Sequence, residues 1–166
     1  MTGIKLTVIG MAVCLAGCGT SAPKSAAGAG TAEVLAGYEK LRALLADDQA
    51  QVGDAAGALA EAARKAAAES NGSLKESLGK IATAADAVRE PATADLAEVR
   101  RRFGEVSRAV ILLAVADPSL VGGRHVFECP MVEKGYGKWV QNGEEASNPY
   151  FGKDMLTCGS AGEWKE

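Results

Sequence analysis

From residue 31 to residue 118 the apolar positions recur at spacings of three and four, the period of helices that bury one face. The first stripe runs Val34, Leu35, Tyr38, Leu41, Leu44 and Leu45. Asp47 and Asp48 are expected to end that helix and cap the next. The second stripe is Val52, Ala55, Ala56, Leu59, Ala63 and Ala66. Gly53 and Gly57 lie inside it, each costing about 1 kcal/mol relative to Ala. So small a face lets neighbouring helices approach closely. Asn71-Gly72 signals a turn, and Ser73 with Glu76 fits a capping box for the third helix. Its stripe is Leu74, Leu78, Ile81, Ala82, Ala85 and Val88. Pro91 breaks the chain, and Thr93 is placed to cap a fourth helix with Leu96, Val99, Phe103, Val106, Val110 and Leu113 on one seam. Asp117-Pro118 closes it. Four amphipathic helices with short connections predict a mainly α protein built on an antiparallel four-helix bundle, and the stripes read as core rather than as a cofactor site.

The pattern changes at Gly122-Gly123. His125, Phe127 and Cys129 alternate with Val126 and Glu128, as in a short strand. Gly135-Tyr136-Gly137 and Asn142-Gly143 are turn signals, with Trp139 between them. Residues 119–166 therefore read as a small Cys-containing hairpin or looped module of the same domain, with Trp139 closing its core.

The N-terminus carries a different pattern. Lys5 precedes an apolar run from Leu6 to Leu15, interrupted only by Thr7 and Gly10. Such a run has the length of a signal-peptide core and falls short of the roughly 20 residues a spanning helix needs. It ends Leu15-Ala16-Gly17-Cys18, which resembles the bacterial lipobox. The resemblance implies that residues 1–17 are removed and that Cys18 receives a diacylglyceryl group and an acylated amino terminus. Two or more acyl chains anchor a protein stably where one does not. Residues 18–30, rich in Ser, Ala, Gly and Pro, would then be the lipidated Cys and a flexible tether. Gly19 stands where inner-membrane lipoproteins commonly carry Asp. By resemblance, the expected location is the periplasm, with the lipid in the outer membrane.

Charge and composition narrow the function. The net charge of -3 gives nucleic-acid binding no electrostatic support. Arg100, Arg101 and Arg102 form the only basic run and read as a solvated helix face. A single His offers no pair for a catalytic metal, and Gly159-Ser160-Ala161-Gly162 lacks the spacing of a nucleophile elbow. The chain is expected not to be an enzyme. Cys14 leaves with the signal and Cys18 is lipidated, so Cys129 and Cys158 are the thiols that remain.

Each of these lies near a thioether: Cys129 with Met131, and Cys158 with Met155, with His125 four residues before Cys129. Thiolate and thioether ligands select Cu(I) or Ag(I), and imidazole can join them. Zinc fits less well, because there is no Cys-x-x-Cys and no second His. Alternatively, Cys129 and Cys158 form a disulfide in an oxidising compartment. Closing a loop of about 30 residues would stabilise the fold by about 3–4 kcal/mol on a loop-entropy estimate. The residues alone leave both readings open.

Cys129-Pro130-Met131, Trp139, Asn148-Pro149-Tyr150-Phe151-Gly152 and Met155-Leu156-Thr157-Cys158-Gly159 together resemble the C-terminal signature of an uncharacterised helical domain family. That domain occurs alone in secreted proteins and fused to periplasmic adaptor subunits of RND-type copper and silver efflux pumps. Tyr38, Leu41 and Leu44 before Asp47-Asp48 are similar to its opening, and Arg100, Phe103 and Ser107 to its last helix. The resemblance implies the bundle fold, a periplasmic location and a heavy-metal context, with an efflux adaptor as partner. This chain departs from the family at Val132-Glu133-Lys134-Gly135-Tyr136, where an Ala and an acidic stretch are usual, so its hairpin tip is expected to differ. Trp139 has an alternative role there, as a cation–π partner over Cu(I).

Overall fold

A computed structural model describes residues 26–49, 51–89 and 95–165. The signal segment, the lipobox Cys18, Pro91 and Thr93 lie outside the described residues. Four helices follow one another: α1 (Ala26–Ala46), α2 (Val52–Ala68), α3 (Gly72–Arg89) and α4 (Leu96–Ala116). Each packs along the next in chain order, and the short turns at 47–51 and 69–71 force α1, α2 and α3 to run antiparallel. The mainly α bundle is therefore the observed fold.

The stripes account for the core. Leu41, Leu45, Leu59, Leu78, Ile81, Phe103, Val106 and Ile111 are completely buried. Burial of each larger aliphatic or aromatic side chain contributes about 1.5–3 kcal/mol. The α2 face is lined by Ala55, Ala56, Ala60, Ala63 and Ala66, all buried, and this lets α1 come close. A Cβ on Gly30 would stand 3.1 Å from the Ala66 Cβ. That contact also explains why α1 begins earlier than expected, inside the 18–30 stretch read as tether. Thr31 is buried one residue later, so this part of the chain is packed onto α2.

The helix ends differ from expectation in three places. Asp48 does not cap α2. Gln51 precedes α2 without a side-chain cap bond, and Asp48 sits at φ 55°, in the left-handed region that a turn after a helix often uses. Ser73 lies inside α3, which starts at Gly72, so Ser73 stands in the first turn rather than at the cap, and Glu76 falls beyond that turn. Asp95 is the N-cap of α4, its carboxylate accepting from the Glu98 N–H at 2.8 Å.

After a short 3-10 turn (Pro118–Val121) the chain forms β1 (His125–Glu128), β2 (Lys138–Gln141) and, after a second 3-10 turn (Gly152–Met155), β3 (Ser160–Ala161). The sheet order is β2-β1-β3, with both pairings antiparallel. The expected hairpin is β1–β2, in the register Val126 with Val140 and Phe127 with Trp139. The two-residue β3 was not foreseen, because two exposed small residues carry no alternation to read.

β2 lies against α4 and α1, so the module covers the seam between the first and last helices. Aromatic rings fill that seam. Tyr38 stacks on Phe103 with centroids 5.6 Å apart, and Phe103 meets Tyr150 at 5.8 Å. Trp139 is fully buried, stacked on Phe127 at 5.5 Å and edge-on to Tyr150 at 6.0 Å. Its place is the core of the module.

Candidate functional site

Polar contacts hold the module on the bundle. The Tyr38 hydroxyl, buried in the α1–α4 seam, accepts from the Val140 N–H at 3.1 Å and pairs with the Ser107 hydroxyl at 2.8 Å. It thereby covers a backbone donor on the outer edge of β2. Arg42 on α1 donates to the Ser147 carbonyl at 2.8 Å and to Glu39. Arg100 on α4 donates to the Pro149 carbonyl at 3.1 Å and the Leu45 carbonyl at 3.2 Å, and pairs with Asp48. The other Asp48 oxygen accepts from the Lys153 N–H at 3.1 Å. That backbone hydrogen bond and Arg100, in this order, hold the Asp48 carboxyl below its ordinary value. The Arg100–Arg102 run is therefore not simply a solvated face. Arg101 and Arg102 pair with Glu98, but Arg100 points inward and clamps the loop.

The Asn-Pro-Tyr-Phe-Gly string is the loop so clamped. Asn148 is fully buried, and its side-chain oxygen accepts from the Tyr150 N–H at 2.8 Å and the Phe151 N–H at 3.3 Å. Its amide donates to the Cys158 carbonyl at 2.7 Å. Gly152 adopts φ 56°, and a Cβ there would collide with the Asp48 carboxylate and the Arg100 guanidinium. The loop thus carries the bundle's grip through to the backbone of Cys158.

Cys129 follows β1. Its N–H donates to the Gly137 carbonyl at 3.0 Å, and its carbonyl accepts from the Val132 N–H at 3.3 Å. Gly137 has to be small, since a Cβ would lie 3.1 Å from the Cys129 carbonyl oxygen and 3.0 Å from the Val132 Cβ. Cys158 follows the second 3-10 turn, its N–H donating to the Met155 carbonyl at 2.9 Å. Beside it Gly159 lies on Trp139, where a Cβ would overlap the indole ring. These two backbone seats place the Cys129 and Cys158 sulfurs 3.5 Å apart across 29 positions of sequence. Both are thiols in contact, beyond the S–S bond length of about 2.05 Å. Cys129 is 2 % exposed, whereas Cys158 is partly open to solvent. The contact with Cys129 first, and burial second, raise the Cys158 thiol above its ordinary value.

The other expected ligands stand differently. Met131 is 51 % exposed, on the turn just after Cys129, beside a shallow groove with Arg101, Val132, Lys134 and Phe151. Met155 is half-buried in the turn that leads to Cys158. His125 starts β1, four residues before Cys129. β1 spans His125–Glu128, so His125 stands at one end of the strand and Cys129 just beyond the other. Among the described residues no group of three or more His, Cys, Asp or Glu is gathered in a metal-holding arrangement. Two soft sulfur donors suit a monovalent ion of low coordination number, and fall short of the four ligands of structural zinc.

No family model, no curated protein and no solved structure matches this chain. Among the described residues, no helix is long and apolar enough to cross a membrane. Arg42, Asp48, Arg100 and Asn148 were not marked as site residues from sequence. Asn148 and Gly152 carried a usable signal, since an Asn before Pro and a Gly closing the string are turn residues with a backbone reason.

Proposed function

We propose that this chain is a non-enzymatic lipoprotein of the bacterial envelope, anchored through Cys18, whose helical bundle carries a soft-metal thiol site at Cys129 and Cys158. The cargo is Cu(I) or Ag(I). The partner is a heavy-metal efflux adaptor, and the outer membrane is the anchoring surface. The observation that carries the metal reading is the contact of two sulfurs at 3.5 Å on backbone seats that both depend on glycine. Met131, exposed beside one thiol, is a third sulfur within the same turn region and suits transfer of an ion to a partner.

Native mass spectrometry of the reduced, detergent-solubilised protein tests this. One Cu(I) per chain is expected, lost in Cys129→Ser. Each thiol gives up a proton to become a ligand, so affinity should rise with pH. Absence of Cu(I) from the reduced protein would end the metal reading. A second reading rests on the same contact: a metal-free interaction scaffold stapled by a Cys129–Cys158 disulfide. It predicts a pair isolated fully oxidised, resistant to mild reductant, and unable to take metal after reduction.

A further inference from the structure

We propose that Cys129 and Cys158 form a stoichiometric thiol–disulfide exchange centre, with Cys158 as the entry sulfur and an external disulfide as the oxidant. Three features point to this. The sulfurs touch at 3.5 Å, so an approach of about 1.5 Å closes the bond. The two thiols are unequal, because Cys129 is 2 % exposed and Cys158 is partly open. The module also does not depend on the bond for its attachment. Tyr38, Arg42, Asp48 and Arg100 fasten it to the helices, and Asn148 ties the Cys158 backbone to the clamped loop. A bond that is not needed to hold the module is free to open and close.

The exchange balances as follows. The Cys158 thiolate attacks one sulfur of an external disulfide R–S–S–R. That S–S bond breaks, a mixed Cys158–S–S–R bond forms, and the first RS⁻ leaves and takes up the Cys158 proton. Cys129 then attacks the Cys158 sulfur, the mixed bond breaks, and the second RS⁻ leaves with the Cys129 proton. The pair is oxidised by two electrons, and R–S–S–R is reduced to two RSH. R is a small thiol such as glutathione or the cysteine of an oxidoreductase. Oxidation also consumes both metal donors, so the centre would gate the site. This last consequence rests on the soft-metal reading, whereas the exchange does not.

The test uses the full mature lipoprotein in detergent. In the reduced wild type, limiting iodoacetamide followed by peptide mapping should label Cys158 at least about tenfold faster than Cys129, since thiol reactivity follows exposure. Oxidised glutathione should close the wild-type pair and leave the helical circular dichroism unchanged. With Cys129→Ser it should stop at a single glutathione adduct on Cys158. Equal or faster labelling of Cys129, or a wild-type adduct that persists without closing, overturns the proposal. So does loss of the fold on reduction. A protein that exchanges in this order but takes no Ag(I) when reduced would refute the metal reading and leave the exchange centre standing. One that still takes Ag(I) after oxidation would refute the gating.

Discussion

Replacing Tyr38 by Phe tests whether one hydroxyl joins the module to the bundle. The substitution keeps the ring and its stacking on Phe103, and removes only the oxygen that accepts from the Val140 N–H and pairs with Ser107. Tyr38 is 1 % exposed and Ser107 is fully buried, so water does not replace the lost partner. The Ser107 hydroxyl has an alternative acceptor in a helix, the carbonyl one turn back. The Val140 N–H has no such local alternative, since it lies on the outer edge of β2. One orphaned buried donor costs about 1–3 kcal/mol, and that is the expected loss for Tyr38→Phe. The assay is urea denaturation followed by Trp fluorescence, which reports Trp139 and Trp164 of the C-terminal module, and by far-UV circular dichroism, which reports the helices. Both transitions should shift together. Adding Ser107→Ala to Tyr38→Phe should cost less than the two single losses summed, because the pair shares one interaction. A loss below about 0.5 kcal/mol would show that Tyr38 contributes through its ring alone, the result usual for a site without a buried partner. Strict additivity in the cycle would refute the shared bond.

Gly152→Ala should destabilise by about 3 kcal/mol, combining a left-handed backbone that costs Ala about 1–2 kcal/mol with displacement of Arg100 from its carbonyl acceptors. Gly79→Ala in α3, where nothing lies within 4 Å of the new Cβ, should instead stabilise by about 0.5–1 kcal/mol; the same sign for both in thermal melts contradicts the clamp. Burial raises the folded Tyr38 and Tyr150 phenols above their ordinary value, so the folded state keeps protons that the unfolded chain releases. Stability should be complete below about pH 10 and fall as pH rises beyond it, less steeply in Tyr38→Phe; an equal slope in both proteins would contradict this. At the acid end, hydrogen bonds from Arg101 and then Arg102 hold Glu98 down to about 2, so that contribution is present above the ordinary value of 4.5 and lost as pH falls toward 2. Glu98→Gln should flatten that limb of a stability–pH curve. Cys18→Ala should abolish incorporation of labelled palmitate and release the protein from membranes; retained label would contradict the anchor.

The helices were legible because their signal is local and repeated. Burial of Leu41, Leu59, Ile81 and Phe103 follows directly from the spacing of three and four, and a stripe must face a core whatever the neighbours are. The β1–β2 pair was legible for the same reason, through alternation and turn residues. The caps were less so. Several polar residues stand near each helix start, and tertiary partners decide among them. Asp48 was read as a cap of α2, yet it turns to Arg100 and the Lys153 N–H, two partners remote in sequence.

The cysteines show the same division most clearly. The sequence by itself determined that Cys129 and Cys158 lie in the C-terminal module, each near a Met. It also marked the turns that carry them. It left open whether His125, Met131 and Met155 share one site with the thiols. Only the tertiary structure brought Cys129 and Cys158 to 3.5 Å, buried one more than the other, and set His125 at the far end of a strand. The physical reason is that periodicity and turn chemistry act over a few residues. The meeting of two segments 29 residues apart is decided by what packs and hydrogen-bonds between them, here the loop that Asn148, Arg42, Arg100 and Asp48 hold in place.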